Sequence, residues 1–105
     1  MTTFDEREEA FEKKFVYDER LRFKAEARRN RLLGLWVAEK LGKAGSEADA
    51  YAKEVVVAKF DGTGGTIRKV MADLAAKAVA IEESEIRAKM NELMLLATAQ
   101  VKAGV

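Results

Sequence analysis

Ile67, Val70, Met71, Leu74, Ala75 and Ala78 fall at i, i+3, i+4, i+7, i+8 and i+11, an unbroken stripe that predicts a helix with one buried face. Ala48, Tyr51, Ala52, Val55 and Val56 repeat the pattern. Ser46, with Asp49 three residues on, resembles a capping box, and Gly45 before it suits a helix end. Ile86, Met90, Leu93, Met94, Ala97 and Val101 form a third face, predicted to begin near Ser84 or the acids Glu82 and Glu83. Leu32, Leu33, Leu35, Trp36, Val37 and Leu41 make a broader apolar surface closed by Gly42, which predicts the central helix. The connections near residues 42–45, 61–65 and 80–84 are short, so consecutive helices are expected to pack antiparallel in a small bundle.

Residues 3–18 are patterned differently. Thr3 and Glu6 fit a capping box, and at a helical turn of about 100° per residue Phe4, Phe11 and Phe15 fall within about 40° of one another. Extended further, that stripe meets Asp18 and then Arg22, so the apolar face is interrupted around residues 16–20, which predicts a hinge, a break or a change of packing partner. Asp5 with Glu9 and Glu8 with Glu12 are like-charge pairs one turn apart, and a helix this short is marginal alone. The stripe has two readings. Either it packs on the bundle, or it belongs to a detachable helix whose Phe4, Phe11 and Phe15 anchor in another protein's groove.

Charge divides at the same place. Residues 1–18 hold six acids against three bases, a net of −3, whereas residues 19–31 hold six bases against two acids, a net of +4. The whole chain is only +1, so attraction to nucleic acid or an anionic membrane would have to come from a local patch. Helix-forming residues dominate the 105 positions and proline is absent, which leaves little room for sheet. With neither cysteine nor histidine, disulfides, thiolate metal sites, the commonest metal ligand and the commonest general base are all missing. No cofactor or metal is expected. The acidic start MTTFDEREE has no apolar run of signal-peptide length, and no stretch of about 18 apolar residues follows, so a cytoplasmic protein without membrane insertion is expected.

Three features could carry chemistry. Lys24, Arg28 and Arg31 share a helical face and could meet phosphates, but no aromatic residue interleaves on that face, so a solvated, salt-bridged surface is the favoured reading. The loop FDGTGGT, residues 60–66, could offer backbone amides to an anion; it lacks the lysine and spacing of a P-loop and reads as a turn leading into the next helix. Gly34 within a helix costs about 1 kcal/mol relative to alanine, which points to close approach of another helix or of Trp36. For catalysis, Ser46 and Ser84 read as helix starts with no histidine to activate them, and Glu82, Glu83 and Glu85 lie at an exposed helix start. No catalytic residue is assigned.

FDEREEAFEKKF, LRFKAEARRNRLLGLWVAEKLG, EADAYAKEVVVAKF and IRAKMNEL together resemble the zeta subunit family of alphaproteobacterial F-type ATP synthases, across nearly the whole chain and most specifically in FKAEARRNRLLGLW. The resemblance implies an all-α four-helix bundle carrying an N-terminal inhibitory segment. It also implies that this segment enters a catalytic interface between alpha and beta subunits beside gamma and stalls rotation in the direction of ATP hydrolysis. On that reading Phe4, Phe11 and Phe15 supply apolar anchoring, while Asp5, Arg7, Glu8, Lys13 and Lys14 set orientation. The charged face of FKAEARRN, with Lys24, Arg28 and Arg31, then rests on the synthase, and RLLGLW is where the core begins. KFDGTGGT departs from the acidic loop common in that family, so no role of the loop's charge carries over. The expected organisation is an N-terminal inhibitory segment over residues 1–19 and a four-helix bundle over 20–105, in a non-enzymatic regulatory protein peripherally associated with a membrane-bound ATP synthase. Two other readings stand beside it: a small nucleic-acid-binding helical protein using Arg20, Arg22, Lys24, Arg28, Arg29 and Arg31, and a helical adaptor that uses the bundle surface.

Overall fold

Four runs rich in alanine, leucine, lysine and glutamate form four helices: α1 (Thr2–Lys40), α2 (Gly45–Ala58), α3 (Gly65–Ala76) and α4 (Glu83–Lys102). The computed structural model describes residues 2–60 and 65–104, with side chains from residue 19 onward. Among the described residues there is no strand, and the all-α four-helix fold is as expected. α1 runs through residues 16–20 as one helix, so of the hinge, break or change of packing partner expected there, a break is not what the chain forms. Glu19 and Arg20 are exposed, and among the described side chains of α1 the first fully buried one is Ala25.

Pairings between helices give their directions. Gly34 of α1 approaches Ala52 and Val55 of α2, while Glu26, two turns earlier, meets Lys59 just past the end of α2, so the two helices are antiparallel. Lys69 reaches Glu54 and Asp73 meets Tyr51, which sets α3 antiparallel to α2. Arg28 reaches Gln100 and Lys89 lies over the Trp36 ring, which sets α4 antiparallel to α1. α1 is therefore the central helix, flanked by α2 and α4.

The core follows the apolar stripes. Leu33, Val37, Tyr51, Val55, Val70, Leu74, Ile86 and Leu93 are buried together, with Trp36, Ile67, Met71 and Met90 partly buried against them. The core begins earlier in α1 than RLLGLW, since Ala25 and Asn30 are already buried. The Asn30 side-chain oxygen accepts hydrogen bonds from Arg29 Nε at 3.2 Å and Nη2 at 3.1 Å, which offsets the cost of burying a polar amide. Gly34 fits the first of its two expected explanations: a Cβ there would lie 2.6 Å from the Ala52 Cα, so the glycine lets the backbones of α1 and α2 approach each other closely.

Helix ends depart from the sequence reading in two places. Ser46 is not a cap, because α2 starts one residue earlier at Gly45 behind Ala44, with no side-chain cap bond, and the hydroxyl falls inside the first turn. Ala78 is not on the buried face of α3 either. The helix stops at Ala76, and Ala78 takes φ of 57° while its N–H bonds the Ala75 carbonyl at 3.0 Å and the Val79 N–H bonds the Leu74 carbonyl at 2.9 Å. That pair of bonds is a Schellman ending. α1 ends the same way, with Gly42 at φ of 79° and Lys43 N–H bonding the Ala38 carbonyl at 2.8 Å. α4 starts behind Glu82, as expected, and again without a side-chain cap.

Candidate functional site

Every expected partner-binding residue belongs to α1. Phe4, Asp5, Arg7, Glu8, Phe11, Lys13, Lys14 and Phe15 lie outside the residues whose side chains are described, as does the Thr3 and Glu6 cap. Lys24, Arg28 and Arg31 are described, and they come together along one groove of about 600 Å³ between α1, α2 and the end of α4. Phe23 and Ala27 of α1, Val56 of α2 and Val101 of α4 supply its apolar lining.

That lining corrects the sequence reading, which found no aromatic residue on the face of the three cations. Phe23 is 60% exposed and opens the same groove. The signal was available in the row Phe23, Ala27 and Arg31, spaced four apart and adjacent to the row Lys24 and Arg28.

Lys59 joins this region from just past the end of α2. Its Nζ donates to Glu26 Oε2 at 2.7 Å and sits 5.2 Å from the centroid of the Phe23 ring and 6.0 Å from that of Phe60. Hydrogen bonding from Lys59, reinforced by the charges of Lys59, Arg29 and Arg22, holds the Glu26 carboxyl below the usual carboxylate range against a modest opposing effect of burial. Glu26 is thus ionised and neutralised locally, while Phe60 remains 71% exposed and Val57, one turn before it, 64% exposed. Sequence reading assigned Lys59 nothing, because its partner is 33 residues away.

The residues considered for nucleic-acid contact divide. Arg20, Arg22, Lys24 and Arg31 are exposed, but Arg29 turns to Asn30 and Arg28 Nη1 donates to Gln100 Oε1 at 3.4 Å. Two of the six cations are therefore engaged within the protein. Ser46 and Ser84 are exposed at the starts of α2 and α4, and of the acids near Ser84, Glu83 pairs with Arg87 at 3.0 Å. Within the glycine loop, Gly65 opens α3 with φ of 76°, and residues 61–64 lie outside the described part. No helix, among the described residues, is long and apolar enough to cross a membrane.

Comparison with known proteins adds to this geometry. The family model for ATPase inhibitor subunit zeta matches residues 1–100. A protein solved by solution NMR is 53% identical, with a TM-score of 0.69 over 81% of this chain and 99% of its own. No curated protein matches.

Proposed function

The chain belongs to the ATPase inhibitor subunit zeta family, and on that premise we propose that it inhibits ATP hydrolysis by an F-type ATP synthase, with residues 1–19 as the inhibitory element and residues 20–105 as the bundle that carries it. The family match supports this reading most directly, because it spans residues 1–100 and so includes the segment as well as the bundle. The segment enters a catalytic interface between alpha and beta subunits beside gamma. There Phe4, Phe11 and Phe15 fill apolar pockets, Asp5, Arg7, Glu8, Lys13 and Lys14 fix the helix in register, and rotation in the hydrolytic direction stalls. Lys24, Arg28 and Arg31 lie on the bundle next to the segment and rest on the synthase surface. The protein acts without a cofactor, on the cytoplasmic side, peripherally attached to the membrane-bound enzyme.

The test is ATP hydrolysis by the isolated catalytic sector, titrated with the intact protein and with a version beginning at residue 20. Inhibition by the intact protein alone assigns the activity to the segment. If neither inhibits, the reading is wrong. A double substitution of Phe11→Ala and Phe15→Ala that inhibits as well as wild type would instead show that the aromatic stripe is not the anchor.

A further inference from the structure

Where α1 enters the bundle, two aromatic rings are exposed next to one lysine. Phe23 and Phe60 are 60% and 71% exposed, and the Lys59 ammonium lies between their rings at 5.2 and 6.0 Å. Lys24 and Arg31 line one groove with Phe23, and Lys53, Lys69 and Glu54 line another with Phe60 and Val57; of the two acids, Glu26 is paired with Lys59 and Glu54 lies 3.6 Å from Lys69. Large aromatic side chains exposed side by side in a soluble chain are markers of a contact surface, and here cations surround them.

We propose that this base of the bundle, centred on Phe23, Lys59 and Phe60, is a second docking surface for the ATPase catalytic sector and that it receives an acidic stretch of a subunit bearing an apolar side chain. The inference rests on the inhibitory reading of residues 1–19. Its occupant follows from two observations. Phe23 and Lys24 lie on the same helix as the proposed inhibitory segment, directly beyond it, so a partner that holds the segment is brought against them and against Lys59 and Phe60 packed beside them. The unbalanced charge is positive, a net of +4 over residues 19–31, and a cation between two rings complements a carboxylate beside an apolar group. A single-stranded nucleic acid would also meet the cations and stack on the rings, but Arg28 and Arg29, two of the six cations of the Arg-rich row, are already engaged within the protein.

Two neighbouring surfaces divide the labour. The segment stops rotation, and the base slows release by adding contacts that do not depend on the catalytic cycle. Weakening the base therefore lowers affinity without lowering the inhibition reached at saturation.

The experiment uses the full chain and the isolated catalytic sector, measuring binding kinetics and residual hydrolysis together. Phe23→Ala with Phe60→Ala removes the rings and leaves the Lys59 to Glu26 pair in place; Lys24→Glu reverses one charge. Thermal unfolding confirms that each variant is folded. The expected result is binding at least 10-fold weaker for the double variant, mostly through faster dissociation, with full inhibition at saturation, and a shallower salt dependence for Lys24→Glu. Wild-type affinity in the double variant overturns the inference and leaves the inhibitory reading standing. Failure of wild type itself to bind the sector overturns both. A single-stranded DNA 20-mer that binds wild type and loses affinity equally in both variants also overturns it, since the surface would then be a nucleic-acid site.

Discussion

Gly34→Ala tests the packing of α1 on α2, because two effects of known size oppose each other there. In an exposed helix the change stabilises by about 0.5–1 kcal/mol, since alanine loses less backbone freedom on folding. At this site the new Cβ would lie 2.6 Å from the Ala52 Cα and 3.2 Å from the Cβ atoms of Ala52 and Val55. Carbon atoms in contact sit about 3.5–4.0 Å apart, so α1 and α2 must separate by roughly 1 Å, and the nearest obstacle is backbone that cannot rotate away. Overpacking of this kind costs about 1–3 kcal/mol, and the three short contacts place the cost at the upper end. The net expectation is a loss of about 2 kcal/mol, a fall in Tm of roughly 8–16 °C for a domain of this size. Circular dichroism at 222 nm, followed through thermal and urea unfolding, reads it directly, with the urea slope unchanged if only packing is affected. A variant that melts at or above wild type would refute the close approach.

Ala78→Gly has the opposite sign: with φ of 57° and no contact role in the core, the substitution relieves a left-handed strain of about 1 kcal/mol, and Tm rises by several degrees. Gly42→Ala, at φ of 79° with nothing within 4 Å, loses a similar amount by the same argument, so a stabilised Gly42→Ala would contradict both. Tyr51→Phe removes the 2.8 Å bond to Asp73 Oδ2 and lowers stability by about 1 kcal/mol, read by urea unfolding. Burial, then the bond to Asp73, raises the Tyr51 pKa above its ordinary 10.0, so its contribution is complete below about pH 10 and is lost as pH rises toward the folded value. Wild-type stability then falls more steeply than that of Tyr51→Phe in alkali, and one of the two tyrosines resists ionisation, as seen by absorbance at 295 nm, until the protein unfolds. Glu26 is depressed below 4.5, so its contribution is present above that pH and is lost as pH falls through the folded value. Because Glu26 and Lys59 are both partly exposed, Glu26→Gln flattens the acid limb of the stability profile by only a few tenths of a kcal/mol.

The core was legible because burial and helical period carry the same information. The stripes on α2, α3 and α4 contain most of the residues that are buried there, with Ala58 and Thr66 buried outside them and Ala75 exposed, and the short connections agree with the antiparallel order. What the stripes could not give were the ends. An N-cap is a statement about where the first turn begins, and a shift of one residue moves Ser46 from cap to interior. Ala78 reads as a stripe residue because periodicity assumes the helix continues, whereas the chain turns there through a left-handed alanine that no propensity favours.

The surface was less legible, for a reason the Lys59 cluster makes plain. A stripe is written in one helix, but Lys59 acquires its role from Glu26 and Phe23 on another, and no spacing along the chain announces a pair 33 residues apart. Phe23 was overlooked because it stands off the apolar face of α1, among arginines, where an aromatic residue contributes little to the core. An exposed aromatic in that position lowers solubility without strengthening the fold, and it becomes intelligible only beside Phe60, Lys59 and the groove shared with Val56 and Val101. The junction RFKAEARRN thus does two things at once: Ala25 and Asn30 turn inward and start the core, while Phe23, Lys24 and Arg28 turn outward beside the proposed inhibitory segment. A residue pattern that mixes both tasks over nine positions is blurred for either one, which is why the helix was clear there and the surface was not.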